Sequence, residues 1–197
     1  IDVATAAIRE LNEKYPEHPF YLFHRHRLWN PSEKVWMGWE RKRGKLHEFN
    51  ALLRGSETTT YSVQVGDLAP LPLVRYVITL DADTLLPRGE AHRLIGTLAH
   101  PLNRAVFNAA GKVVAGYTIL QPRTEIKPTS SNRSIFSRIF GGDTGFDLYT
   151  RAVSDIYQDL FGTGIFVGKG IYDIDAFEKS LIDRVPENAI LSHDLFE

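Results

Sequence analysis

Asp81 and Asp83 stand two apart in the triplet Asp81-Ala82-Asp83, directly behind an apolar run. Residues two apart share a face of an extended chain. An extended continuation of the run would therefore aim both carboxylates at one spot. Two such groups need a cation or a shared proton to relieve their repulsion. A divalent metal carrying a phosphorylated substrate meets that need. Aspartate is also common after strands, where it caps turns and helices, and a lone DxD arises by chance. The triplet leaves both readings open.

Other residues offer chemistry of their own. The stretch ERKRGKL, 40–46, holds four cations in seven residues. It reads as a solvated basic helix start or as a diphosphate contact. Lys45 follows a glycine that lets the backbone come close, near a helix N-terminus where anions are favoured. Gln121 ends a second apolar run and reads as a crevice-lining side chain or an ordinary strand exit. Asp194 falls in a first helical turn if Ser192 is the cap. An acid there compensates the helix dipole or serves as a general base. His24 and His26 share a strand face, but Arg25 and Arg27 interleave with them and no third ligand stands nearby. Half-buried strand positions suit them better than metal ligation.

These residues need elements to place them. From Leu73 to Leu80, six of eight residues are apolar, three of them β-branched. That content predicts a buried interior strand of a parallel sheet, with Asp81 at its carboxyl end, where open α/β sheets place ligand crevices. The spacing of Val3, Ala7, Leu11 and Tyr15 predicts a first helix, ended by Pro16 and Pro19. Residues 20–26 read as a strand, and the aromatic stretch from Trp29 to Trp39 as turns. Residues 44–55 predict a helix stopped by Gly55, and 56–72 a loop or short hairpin. Ala91, Leu94, Ile95 and Leu98 predict an amphipathic helix over 89–101. Residues 113–122 read as a second buried strand, and 123–148 as a long loop with a helical piece near 134–140. A helix over 152–161 and a glycine-punctuated strand over 162–174 follow. Asp175 with Glu178 makes a capping-box-like start for the next helix. Helices alternating with apolar strands predict α/β with a mostly parallel sheet flanked by helices.

The whole chain bounds these readings. Its 197 residues suffice for a single domain with a real core. A net charge of −1 gives no bulk field favouring nucleic acid or an anionic membrane. The absence of cysteine excludes disulfides and thiolate metal sites. No apolar run reaches membrane-spanning length, and no signal peptide opens the sequence. Ile1 and Glu197 look like cut ends, so the sequence reads as an excerpt, residues 1–197 of a larger domain.

The stretches WMGWERKRGKLHEFN (36–50), VITLDADT (77–84), AHPLNR (99–104), GYTILQPR (116–123), SDIYQDLFGTGIFVGKGIYDIDAF (154–177) and ENAILSHDLFE (187–197) together resemble a family-2-like GT-A glycosyltransferase. The match is to the glycosyltransferase domain of cyclic β-1,2-glucan synthases, glycosyltransferase family 84, and it covers nearly the whole chain. The resemblance implies a GT-A-like (Rossmann-like) fold and a processive inverting glucosyltransferase that builds β-1,2-linked glucan from UDP-glucose on a glucan acceptor. It implies that Asp81 and Asp83 hold Mg²⁺ or Mn²⁺ and the donor diphosphate. Lys45 and Asn50 would line the donor side with Gln121, and Asp194 would act as the general base. It also implies a large membrane-embedded parent at the cytoplasmic face of a bacterial inner membrane, anchored by parts outside this chain. The first nucleotide-binding strands would precede Ile1, and an Arg/Trp donor motif would follow Glu197. The domain would then be truncated here and the fragment itself inactive.

That chemistry suits the residue types. Inverting transfer needs a base for the acceptor proton and positive charge for the leaving diphosphate, and no covalent nucleophile. Two other classes compete. A haloacid-dehalogenase-like phosphatase would use Asp81 as nucleophile, but Thr84 stands one place early for its DxDx[TV] pattern. A non-catalytic glucan-binding fragment would owe its affinity to the aromatic side chains, 11% of the chain.

Overall fold

The computed structural model describes residues 1–17, 19–122, 127, 133–140, 160–161, 166, 168–181 and 184. Helix α1 (Asp2–Lys14) comes first, close to its predicted bounds. The Asn12 side chain ties it to the following segment, donating to the Phe20 carbonyl at 2.9 Å and accepting from the Phe20 amide at 2.7 Å. Strand β1 (Leu22–Arg25) follows. Then β2 (Leu28–Asn30) and β3 (Val35–Met37) form a hairpin where the sequence predicts only turns. Asn30 Oδ1 accepts from the amides of Ser32 and Glu33 and so closes the loop. Trp29 and Trp36 face each other across this hairpin, edge to face at 5.9 Å.

Helix α2 (Arg41–Leu53) begins one turn earlier than its glycine suggests. It ends as predicted: Gly55 adopts φ +83°, its amide donates to Leu52, and the Ser56 amide donates to Ala51. This is the Schellman arrangement that glycine favours. Strand β4 (Tyr61–Val65) then pairs antiparallel with β1.

A 3-10 turn over Leu71–Leu73 precedes β5 (Tyr76–Thr79). Helix α3 (Glu90–Ala99) matches its predicted amphipathic pattern. The apolar run of 113–122 is two strands rather than one. Residues Val106–Phe107 form β6, which pairs with β7 (Val113–Ala115), and β8 (Ile119–Leu120) is separate. Gly116 breaks the run at φ +72°, with its Cα packed on the Arg104 carbonyl so closely that a Cβ would overlap it. Helix α4 (Ile135–Phe140) lies within the predicted helical piece. Strand β9 (Gly170–Asp173) leads directly into α5 (Ile174–Leu181). The cap of α5 is Asp173 and not Asp175, since Asp173 Oδ1 accepts from the Ala176 amide at 3.1 Å. Asp175 instead pairs with Arg54 at 2.7 Å.

The architecture is mixed α/β, with small antiparallel sheets among the described residues. The predicted parallel sheet is not among them; one isolated parallel bridge joins Arg104 and Tyr117. The run from Leu73 to Leu80 also differs from its prediction. Its first residue closes a 3-10 turn and is 85% exposed, and Leu80 is exposed too. Pro72, which lacks an amide proton, lies in that turn. Only four residues remain as strand, and they form one edge of the described sheet β5-β9-β8. The buried middle is β9, where Ile171 and Tyr172 are almost wholly inaccessible. Both neighbours run antiparallel to β9, so β5 and β8 run in the same direction. Their carboxyl ends therefore lie at one end of the sheet.

The core joins this sheet to α2. Leu53, Leu71, Tyr172 and Ile174 are buried together, with Phe23, Phe49, Val77, Ile119 and Phe177 packed around them. Helix α2 thus lies between two structures: β1 and β4 on one side, and β9 with α5 on the other.

Candidate functional site

Register fixes what meets Asp81. Thr79 pairs with Gly170, so two residues further along β5, Asp81 arrives opposite the Gly168-Lys169 approach to β9. Lys169 Nζ donates to Asp81 Oδ2 at 2.9 Å, and Lys42 Nζ donates to Oδ1 at 3.1 Å. Each carboxylate oxygen carries one ammonium. Lys42 also donates to the Gly168 carbonyl at 3.1 Å. The Lys169 hydrogen bond, with help from Lys42, holds the Asp81 carboxyl below its ordinary pKa against the opposing effect of burial. The cluster is open to solvent, and Asp81, 37% exposed, is its most accessible member.

Extended geometry stops at this aspartate. The Thr84 amide donates to the Asp81 carbonyl at 3.0 Å, which closes a turn over 81–84. Asp81 and Asp83 therefore do not share a strand face. Asp83 is exposed and, among the described residues, forms no ion pair.

Lys42 is placed by an unusual approach to α2. Glu40 and Arg41 both adopt left-handed backbone, φ +51° and +52°. The chain folds so tightly here that a Cβ on Gly44 would overlap the Trp39 carbonyl. Glycine at 44 therefore serves this close approach. Arg25, from β1, secures it by donating to the Trp39 carbonyl at 3.0 Å and the Arg41 carbonyl at 2.8 Å. Arg25 in turn is held by Glu48 at 3.2 Å. Glu48 is buried and accepts from the Thr60 amide, the Thr60 hydroxyl at 2.8 Å and the Thr59 hydroxyl at 2.9 Å. Burial pushes its carboxyl up, but the bonds from Thr60, Thr59 and Arg25 outweigh burial and hold it below the usual value.

The sequence-predicted site residues are only partly gathered here. Gln121 follows β8, where register sets it opposite Gly170, and its Cα lies against that glycine. It thus shares a sheet end with Asp81, as the sequence predicts. Lys45 is exposed one turn along α2 from Lys42, so the two lie on neighbouring faces of the helix. Asn50 lies in the interior at 0% exposure. Its oxygen accepts from the Tyr172 hydroxyl at 2.7 Å and its nitrogen donates to Glu178 at 2.7 Å. It joins α2 to β9 and α5. His24 and His26 are exposed rather than half-buried, because Arg25 takes the inward side of β1. Asp194, Arg123 and Ser192 lie outside the described residues. Lys42 and Lys169 are the residues that sequence reasoning missed. Lys42 stood in the basic run but was passed over for the lysine behind the glycine, and Lys169 carried no signal apart from its flanking glycines.

The donor set can be tested against a divalent cation. Among the described residues no three His, Asp or Glu side chains converge, so no all-protein cage is offered. Magnesium is commonly bound by one or two carboxylates plus substrate phosphates and water. Asp83 and Asp81 are carboxylates of the type such a site uses, with a turn between them.

No protein-family model matches the sequence. Over its whole length the chain is 50% identical, across 202 aligned residues, to a segment of the cyclic beta-(1,2)-glucan synthase NdvB of Rhizobium meliloti (strain 1021). The chain spans 7% of that protein's length. The likeness supports kinship with that family.

Proposed function

We propose that the chain is part of a glucosyltransferase that transfers glucose from UDP-glucose, with inversion, to build β-1,2-linked glucan. The observation that carries this reading is the 50% identity, over every part of the chain, to a segment of a cyclic beta-(1,2)-glucan synthase. The geometry is compatible with it. Asp81 and Gln121 end two strands that run in the same direction, with lysines from α2 and from the start of β9 beside them. Such strand ends are where α/β sheets of the proposed GT-A kind hold their ligands.

Asp83 and Asp81 would hold Mg²⁺ or Mn²⁺ together with the donor diphosphate. When bound, a divalent cation offsets the charge that gathers on the departing diphosphate. Lys42 and Lys169 add positive charge at the same place, and Lys45 and Gln121 border it. Asp194 takes the proton of the attacking glucan hydroxyl. Asn50 acts from the interior, holding α2 against β9. No helix among the described residues is long and apolar enough to cross a membrane, so attachment to a bilayer would fall to other parts of the protein.

Incubating the full-length protein with radiolabelled UDP-glucose and Mg²⁺ or Mn²⁺ tests the reading. The expected product is a labelled glucan degraded only by a β-1,2-specific glucanase. Release of phosphate from phosphoesters, with an acyl-phosphate trapped on Asp81, would replace it with the phosphatase reading.

A further inference from the structure

Arg25 reaches out of β1 into the start of α2, and the chain is shaped to admit it. The β1-β4 ladder loses step at this residue, since His24 pairs with Val63 and Arg25 with Tyr61. Irregularities of this kind re-aim a strand side chain. The guanidinium is 9% exposed and lies against Gly38, where a Cβ would stand 2.8 Å from Nη2. Nη1 donates to the Trp39 carbonyl and to Glu48, and Nη2 donates to the Arg41 carbonyl. Those two carbonyls enclose Glu40 and Arg41, the two left-handed residues. Such backbone without glycine is costly, persists only where its surroundings hold it, and gathers at ligand sites. The side chains of Glu40 and Arg41 pair with Arg43 and Glu33, while Arg25 holds the backbone itself. An ordinary helix start needs none of this. The next residue is Lys42, whose ammonium reaches Asp81 and the Gly168 carbonyl.

We propose that Arg25 is a positioning residue for the donor site: by bridging the Trp39 and Arg41 carbonyls it fixes the left-handed turn before α2, and so sets where the Lys42 ammonium stands for the diphosphate. The proposal rests on the donor-site reading above, in which Lys42 serves the diphosphate. The charge of Arg25 is met by Glu48, so its effect on the donor passes through Lys42. Lysine at 25 keeps the charge beside Glu48. Its single ammonium does not reproduce the planar fork that serves three oxygens on different segments.

The test is a double-mutant cycle on the full-length protein, read as UDP affinity by calorimetry with Mn²⁺ present. Lys42→Met alone should weaken UDP about 10-fold, the worth of one hydrogen bond to a charged group. Arg25→Lys alone should weaken it about 5-fold, within the range of coupling between linked residues. In the Lys42→Met background, Arg25→Lys should cost less than about 2-fold, because the group it positions is gone. A merely structural residue lowers affinity by the same factor in both backgrounds. That result would overturn the proposal and leave the donor-site reading intact, as would unchanged UDP affinity in Arg25→Lys beside a weakened Lys42→Met. UDP binding indifferent to Lys42→Met would instead remove Lys42 from the donor site, and with it the reading on which the proposal rests. Should Arg25→Lys fail to fold, Gly38→Ala takes its place in the cycle with the same expectations. Gly38 is not left-handed, and an added Cβ there meets the guanidinium of Arg25 without altering any charge.

Discussion

Asp81 and Asp83 share a residue type and a three-residue stretch, yet their surroundings assign them different work. Asp81 is neutralised by Lys42 and Lys169, and Asp83 projects from the turn with no ion pair among the described residues. Asp83→Asn should therefore remove nearly all of the metal-dependent part of UDP binding, a loss on the order of 2–5 kcal/mol for one charged partner of a close set. Asp81→Asn should weaken the metal-dependent part severely and also remove the carboxylate that holds Lys42 and Lys169 at the end of β5. Titration of full-length variants with UDP, with and without Mn²⁺, separates the two. This difference was not legible in the sequence. The alternation argument for Asp81 and Asp83 presumed an extended chain, and a single hydrogen bond from Thr84 to Asp81 ends that geometry. What was legible was the placement of Asp81 and Gln121 at one end of one sheet, because strand direction follows from where apolar runs stop. A second residue with a measurable signature is Glu48. Its folded carboxyl is held below its unfolded value of 4.5. A lowered folded pKa means that Glu48 stabilises the fold above about that pH and loses its contribution as pH falls through the folded value. Glu48→Gln leaves Arg25 buried without its counter-charge, which should cost about 3–5 kcal/mol at neutral pH. Denaturant unfolding followed by tryptophan fluorescence should show that gap, and the gap should narrow below pH 4.5.

Helix α2 is the element through which most of the site is built. Its first turn carries Lys42, its middle carries Glu48 towards β1 and β4, and Asn50 faces Tyr172 and Glu178 on the other side. Its low amphipathicity follows from this: polar side chains on two faces are buried and paired, so no simple apolar stripe appears in the sequence. That is also why its start was misplaced by a turn. Gly44 reads as a helix start, yet it lies inside the helix, where its missing Cβ admits the Trp39 carbonyl. Gly44→Ala should push α2 away from that carbonyl, against the two left-handed residues before it. Such overpacking against backbone costs about 1–3 kcal/mol, and Lys42 would shift with its helix. Unfolding midpoints should fall, and UDP affinity should fall with them, whereas Gly96→Ala, with open space around a helical glycine of α3, should raise the midpoint slightly and leave UDP affinity unchanged. The strands were harder to read for a related reason. The apolar run from Leu73 to Leu80 gives an edge strand of the described sheet, and the buried centre of that sheet comes from Gly170-Ile171-Tyr172-Asp173, which is short, begins with glycine and ends in a charge. Its glycine packs against the Leu120 carbonyl and the Phe166 ring. Close approach, rather than hydrophobicity, selects that residue, and sequence periodicity carries no such information.

At the scale of the whole molecule, the site needs more than the described residues hold. In the proposed function Lys42, Asp81 and Lys169 serve the donor diphosphate, and the acceptor proton is taken elsewhere. Proton removal is the other half of inverting transfer, and in the proposed function it falls to Asp194. That residue lies outside the described region, so its role rests on residue type and on the resemblance carried by ENAILSHDLFE. The two halves make separable demands on free energy. Charge on the diphosphate is already present when the donor binds, so in the proposed function the lysines and a cation would act on binding as well as on transfer. The acceptor hydroxyl loses its proton only as the new bond forms, so a base is felt in the transition state and barely in donor affinity. In the full-length protein, Asp194→Asn should therefore leave UDP affinity within about 2-fold and lower glucan synthesis by about 10²–10⁴-fold, the usual worth of a positioned base. Asparagine keeps the side-chain shape and an oxygen able to cap a helix, so the fold should be retained. Asp83→Asn should show the contrasting pattern, with donor affinity and synthesis lost together. Measuring UDP binding and glucan formation on both variants places each residue in its half of the reaction. Near-normal synthesis by Asp194→Asn would remove it as the base, and a matching loss of UDP affinity would move it to the donor side.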